Sequence, residues 1–113
     1  KLVECIKFAE VEIKKYGLQA PMVGHVGDGN FHATIIYDPS KKEDHKMIRD
    51  FSNKLIDKAL MLEGTVTGEH GIGINKKEYL KKQHPDNLPL MQTLKKSIDP
   101  NNIMNPGKIF DLN

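Results

Sequence analysis

The 113-residue chain has one cysteine, Cys5, and one arginine, Arg49, and no run approaching the about 18 apolar residues that span a membrane. A lone cysteine excludes an internal disulfide and suits a reducing compartment; set in a helical pattern, Cys5 is expected to be inert. With one arginine, sixteen of the seventeen cations are lysines, spread along helical stretches as solvated faces. The net charge of +2 is too small to argue for a nucleic-acid partner. The chain shows neither an initiator methionine nor a signal or transit segment. Lys1 opens directly on a helical pattern, so the expectation is an excised piece of a longer protein. What remains, 38% hydrophobic and 28% charged, is ordinary globular composition. The length suits one domain over residues 1–113 with a modest core.

Against that plain background stands Gly24-His25-Val26-Gly27-Asp28-Gly29-Asn30-Phe31-His32. Asp28-Gly29 favours a two-residue type I′ turn, because Gly, Asp and Asn tolerate positive φ. If Gly27 and Asn30 flank that turn, Val26 faces Phe31 and His25 faces His32. Opposed residues share a face, with Cβ atoms roughly 4.5–5.5 Å apart, so two imidazoles there can reach one metal ion. A slip of one residue puts them on opposite faces, and register decides the matter. The plainer reading makes both histidines ordinary polar strand residues.

A second stretch, Gly64-Thr65-Val66-Thr67-Gly68-Glu69-His70-Gly71-Ile72-Gly73, carries a short β-branched run into a turn where a carboxylate neighbours an imidazole. Neighbours in an extended strand point to opposite faces. Glycines at 68, 71 and 73 release the backbone from that restriction, so both side chains can approach one point. Glu69 is then a candidate third metal ligand that leaves a position open for water or substrate, and His70 a candidate base. The glycine spacing is not that of a dinucleotide fingerprint.

The rest of the chain reads as support. Leu2, Ile6, Ala9, Ile13 and Tyr16 recur at helical spacing and Gly17 is a stop. Residues 22–27 and 30–37 form the hairpin, with Met22, Val26, Phe31, Ala33, Ile35 and Tyr37 on one face and His25, His32 and Thr34 on the other. Ser40-x-x-Glu43 reads as a capping box for a helix using Ile48, Phe51, Leu55, Ala59 and Leu62 and ending at Gly64. A strand over Thr65–Thr67 follows. Asn75-x-x-Glu78 opens a short helix to about Lys82, and a last helix from about Asn87 turns Leu90 or Met91, Leu94 and Ile98 inward. His45 and His84 are expected to be exposed. The fold class is α+β, a small antiparallel sheet with helices on one face in the ferredoxin-like manner. Asp99-Pro100 to Lys108 is dense in turn formers and reads as a loop.

The phrases GHVGDGNFH, GTVTGEHGIG and DPNNIMNPGKIF, in this order and spacing, resemble the C-terminal part of FAD-linked D-2-hydroxy-acid dehydrogenases. That family includes cytochrome- or quinone-linked D-lactate dehydrogenases, the flavin subunit of glycolate oxidase and D-2-hydroxyglutarate dehydrogenases. The likeness runs from Met22 to the end of the chain. It implies a divalent metal, Zn or Mn, on His25, His32 and Glu69, with His70 contacting substrate as the base. It also implies a tail lying close to the flavin, so that Asn105 and the backbone around Gly107 become cofactor contacts, while Lys108 is as readily solvated.

The implied reaction is oxidation of a small D-2-hydroxy acid to the 2-oxo acid, the metal polarising the hydroxyl and FAD taking the hydride. Hydroxyglutarate enzymes of the family tend to carry Asn where this chain has Thr34, which favours lactate or glycolate. The upstream FAD-binding domain and the basic groups that grip the carboxylate lie outside these 113 residues. The expected partners are therefore that domain, the 2-hydroxy acid, and an electron-accepting protein or quinone. The isolated chain is expected to be inactive and free of FAD, and the location cytoplasmic, peripheral to a membrane only through the parent protein. Two other classes compete: a metal-dependent hydrolase, since the same ligands can activate water, and a non-catalytic α+β module.

Overall fold

Leu2–Tyr16 forms helix α1, and Gly17, at φ 64°, ends it in the left-handed conformation that glycine adopts without a Cβ penalty. Its buried line is Cys5, Ala9 and Glu12, flanked by half-buried Leu2, Ile6, Ile13 and Tyr16. The inward face is thus rotated slightly from the purely apolar stripe, and it takes in a carboxylate. The computed structural model describes residues 1–112, in two compact units divided after Gly68.

In the first unit α1 packs against α2, Lys42–Met61. Phe51 is the one large side chain fully buried among the described residues, and its ring meets Tyr16 edge-on with centroids 6.5 Å apart. Burying a ring of this size contributes on the order of 2–3 kcal/mol. Glu12 is buried because Lys54 Nζ donates to its Oε2 at 2.8 Å while lying 4.9 Å from the Tyr16 ring centroid. That ammonium holds the Glu12 carboxyl below its ordinary range. Burial pushes the Cys5 thiol up, which disfavours the reactive thiolate and agrees with an inert cysteine.

The capping box expected at Ser40 does not form. Ser40 gives both its N–H and its hydroxyl to Asp38 Oδ1, at 3.0 and 2.8 Å, so a local aspartate turn takes the serine and the helix starts at Lys42. At the other end Gly64 N–H reaches the Ala59 carbonyl at 2.8 Å. The left-handed position, φ 60°, falls on Glu63, one residue before the glycine.

The sheet has two antiparallel strands, β1 (Met22–Val23) and β2 (His32–Ala33), among the described residues. Met22 pairs with Ala33 and Val23 with His32, and a bridge between Gln19 and Ile36 continues the same register outward. The segment Thr65–Thr67, expected as a strand, lies outside this sheet. The Thr65 hydroxyl donates to the Thr67 carbonyl at 2.7 Å and turns the segment on itself, with Val66 buried in the unit. The α+β class stands, with a smaller sheet than expected.

The second unit holds α3 (Lys77–Gln83), α4 (Leu88–Ile98) and an irregular tail. Glu78 pairs with Lys81 at 2.7 Å and α3 begins after Lys76 without a side-chain cap, so the box expected from Asn75 is absent. Leu80 is buried, and His84, expected exposed, is half-buried. Pro89 sits in the first turn of α4, where its missing N–H would have had no helical partner. Of the residues expected inward, Met91, the alternative to Leu90, is half-buried, whereas Leu90, Leu94 and Ile98 are 60%, 55% and 76% exposed. The half-buried side of α4 is Leu88, Met91, Gln92 and Lys95. There Gln92 donates to the Asp111 carbonyl at 2.8 Å and Lys95 holds the tail, so polar bonds to the tail, rather than apolar burial, choose the inner face. No helix among the described residues is long and apolar enough to cross a membrane.

Candidate functional site

The glycine-dense turn is a hairpin loop of a different kind from the one expected. His25 does not face His32. The observed ladder puts Val23 opposite His32, a shift of two residues, and the chain leaves the strand at Gly24 to make a 3₁₀ turn over Val26–Asp28. The His25 carbonyl closes that turn by accepting from Asp28 N–H at 2.9 Å and Asn30 N–H at 3.2 Å. Gly29, at φ 75°, reverses the backbone.

The physical reason lies at Gly24. A Cβ there would stand 2.4 Å from both the Asn30 carbonyl oxygen and Phe31 Cα, so the two arms cross closer than any side chain permits. Because the shift is even, face parity survives: Met22 and Ala33 share one side, Val23 and His32 the other. His32 is half-buried and His25 exposed.

Asn30 has a further role that sequence reasoning missed. A Cβ on Gly68 would fall 2.5 Å from Asn30 Oδ1, so residue 68 runs directly against the turn's side chain. A Cβ at this position would require the Asn30 side chain to move aside. Glu69 follows by one peptide bond and opens the second unit.

In that unit Glu69 Oε1 lies 3.8 Å from His70 Nε2, with both side chains substantially exposed. Gly71 and Gly73 adopt φ 75° and 54°, the left-handed freedom expected of them. A carboxylate and an imidazole are thus presented together on a loop whose backbone is released on the C-terminal side. Such a pair can share a proton or offer an oxygen and a nitrogen ligand.

The tail brings Asn105 and Gly107 onto one concavity of about 210 Å³, also lined by Lys95, Asn102, Lys108 and Phe110. Asn102, Asn105, Gly107 and Ile109 all have positive φ, from 48° to 69°. For the β-branched Ile109 this conformation costs about 1–2 kcal/mol. Its N–H donates to the Gly73 carbonyl at 2.8 Å, and Lys77 Nζ reaches Asp111 at 2.6 Å, which together pin the tail.

Asp99 escaped sequence reasoning. It is 5% exposed and accepts from Ile103 N–H on one oxygen and from Met104 N–H and Lys95 on the other. The Lys95 ammonium, followed by the two backbone donors, holds its carboxyl below the ordinary range despite burial. An acid just past a helix C-terminus opposes the helix dipole, and that mismatch was the available signal.

The chain belongs to the family described as FAD linked oxidases, C-terminal domain, which matches residues 1–109. It is 39% identical over 113 residues to a probable mitochondrial D-lactate dehydrogenase of Danio rerio, covering 99% of this chain and 23% of that protein. It is 40% identical over 110 residues to a mitochondrial cytochrome-type D-lactate dehydrogenase of Arabidopsis thaliana, covering 96% and 19%. A glycolate oxidase subunit, GlcD, of Bacillus subtilis is 40% identical over 97 residues, covering 85% and 21%. The chain therefore spans about a fifth of the length of these curated relatives.

Proposed function

We propose that this chain is the C-terminal portion of an FAD-dependent oxidoreductase that oxidises a small D-2-hydroxy acid, D-lactate or glycolate, to the 2-oxo acid. The observation that carries the reading is the family match over residues 1–109. The presented Glu69–His70 pair supports it, as does the approach of Gly68 to the histidine hairpin at Asn30.

The donor set fits a divalent metal. Two imidazole nitrogens and one carboxylate oxygen suit Zn or Mn and leave a coordination position open. His25, His32 and Glu69 are the residues that would hold it, where it would polarise the substrate hydroxyl. His25, at the head of the 3₁₀ turn, and His32, in β2, lie on the two arms of one hairpin. His70 takes the hydroxyl proton at its imidazole ring, the side chain suited to carry a proton either way near neutral pH. FAD, when bound, accepts the hydride, chemistry that no side chain here performs. Asn105 and the Gly107 backbone line the concavity that would meet the flavin, whose phosphates and the substrate carboxylate are gripped by an upstream domain. An electron-accepting protein or quinone would take the electrons onward, and a cytoplasmic setting suits the free cysteine Cys5.

The test is a spectrum of the full-length protein carrying this chain, mixed without oxygen with D-lactate, glycolate or D-2-hydroxyglutarate. Flavin absorbance bleached by the first two is expected; no bound flavin, or none bleached by any 2-hydroxy acid, refutes the reading. Calorimetric titration of Zn²⁺ or Mn²⁺ tests the ligands separately. Because even outer residues of a metal site are worth about 10–100-fold in affinity, His32→Ala is expected to weaken binding by more than tenfold, and unchanged binding removes His32 from the set.

A further inference from the structure

The buried carboxylate of Asp99 has no place in the chemistry above, yet the loop that lines the tail's concavity hangs from it. Asp99 Oδ1 accepts from Ile103 N–H at 3.0 Å, and Oδ2 accepts from Met104 N–H at 2.8 Å and from Lys95 Nζ. Lys95 Nζ also donates to the Met104 carbonyl at 2.5 Å, so one ammonium ties the carboxylate to the peptide it already holds. Lys95 and Met104 both line the concavity, as do Asn102, Asn105 and Gly107. Asp99 is not part of that lining but bonds to two of its residues, Lys95 and Met104.

Three of the lining residues, Asn102, Asn105 and Gly107, hold left-handed backbone conformations over six positions. Such a path is kept only where surrounding bonds over-determine it. The Asp99–Lys95 pair supplies those bonds at the start of the path, and the Ile109 N–H to the Gly73 carbonyl supplies one at its end. A neutral amide cannot replace the carboxylate. Whichever way the amide of Asp99→Asn is turned, its NH₂ faces at least one donor, Ile103 N–H on one side or Met104 N–H and the Lys95 ammonium on the other.

We propose that Asp99, clamped by Lys95, is a positioning residue that shapes the Asn102–Gly107 loop and thereby sets how Asn105 and Gly107 meet the flavin. This rests on the cofactor contact assigned to those two residues above. Asp99 touches neither flavin nor substrate. It acts through the two backbone amides it holds.

The experiment compares the full-length flavoprotein with its Asp99→Asn and Lys95→Met variants. Three quantities are read: the FAD dissociation constant, the visible absorbance and circular dichroism of the bound flavin, and hydrogen exchange at the Ile103, Met104 and Leu80 amides. The expected result in both variants is faster exchange at 103 and 104, unchanged protection at Leu80, a shifted flavin band, and FAD held about tenfold more weakly, the scale of a lost charge-assisted hydrogen bond. If Asp99→Asn also loses Leu80 protection, the unit has unfolded and Lys95→Met decides alone. Flavin bound with wild-type affinity and spectrum while 103 and 104 exchange freely overturns the proposal. A wild-type protein that holds no flavin refutes the cofactor reading first, and this inference with it.

Discussion

The two units of this chain each cohere by a different means. Among the described residues, 1–68 keep four of the five buried apolar side chains, Cys5, Ala9, Phe51 and Val66, and their one buried carboxylate, Glu12, is an accessory to that packing. From residue 69 onward a single described apolar side chain, Leu80, is buried, and the tail is carried by Asp99, Lys77–Asp111, Gln92 and the Ile109 amide. Apolar packing is non-directional and tolerates small shifts of backbone. Hydrogen bonds to a buried charge are directional and fix individual peptides. A helical support needs only the first. A loop that must hold several left-handed residues in a set path needs the second.

That contrast can be broken by mutation. Phe51→Ala removes the centre of the apolar unit and is expected to destabilise it by about 3–5 kcal/mol. The loss is read as a lower denaturant midpoint and faster exchange at the Ala9 amide. A loss below about 1 kcal/mol, the average for any point mutation, would mean that the α1–α2 contact is not what holds this unit.

Gly24→Ala forces a Cβ into the crossing arms of the hairpin and is expected to cost about 1–3 kcal/mol, the range for overpacking a close contact. It should also shift the His32 ring resonances. An unperturbed His32 would show that the arms do not cross as closely as they do here.

Acid sharpens the comparison from the other side. The folded Asp99 carboxyl lies below its ordinary value of 3.8, so its contribution is fully present above that value and is lost as pH falls through the lower, folded one. Exchange measured downward from about pH 5, where carboxylates of this kind begin to titrate, is expected to show Ile103 and Met104 losing protection, with Ala9 and Phe51, whose unit also holds a lowered carboxyl at Glu12 but keeps its apolar packing, losing less. Equal loss at all four amides would erase the distinction between the units.

The smallest effect is at Glu63. Its left-handed φ of 60° is one that glycine adopts freely, so Glu63→Gly is expected to stabilise the first unit by up to about 1 kcal/mol, read from the denaturant midpoint. Destabilisation would show that its ion pair with Lys1 outweighs the backbone strain.

Much of this was legible beforehand, for local reasons. The α1 stop at Gly17, the existence of a hairpin around residues 22–33 and the freedom at Gly71 and Gly73 follow from glycine's lack of a Cβ. The register did not follow, because Gly24 is needed for a close crossing with Asn30 and Phe31, and a turn propensity read from Asp28-Gly29 carries no information about that crossing. Both expected capping boxes yielded to other local partners, Asp38 for Ser40 and Lys81 for Glu78. The apolar stripe on α4 marked a helix correctly but pointed the wrong way, since periodicity says which residues share a face and not which face is covered. Asp99 stayed hidden because its partners are mostly backbone amides, which nearly every residue has.

The central claim is that His70 is the base of a flavin-linked oxidation. It is met most directly by rapid anaerobic mixing of the full-length flavoprotein with D-lactate, comparing wild type with His70→Ala by the rate of flavin bleaching. The account predicts flavin still bound in the variant and bleached at least about 10²-fold more slowly, the lower end of what a general base contributes. Bleaching at the wild-type rate, with flavin equally bound, contradicts it.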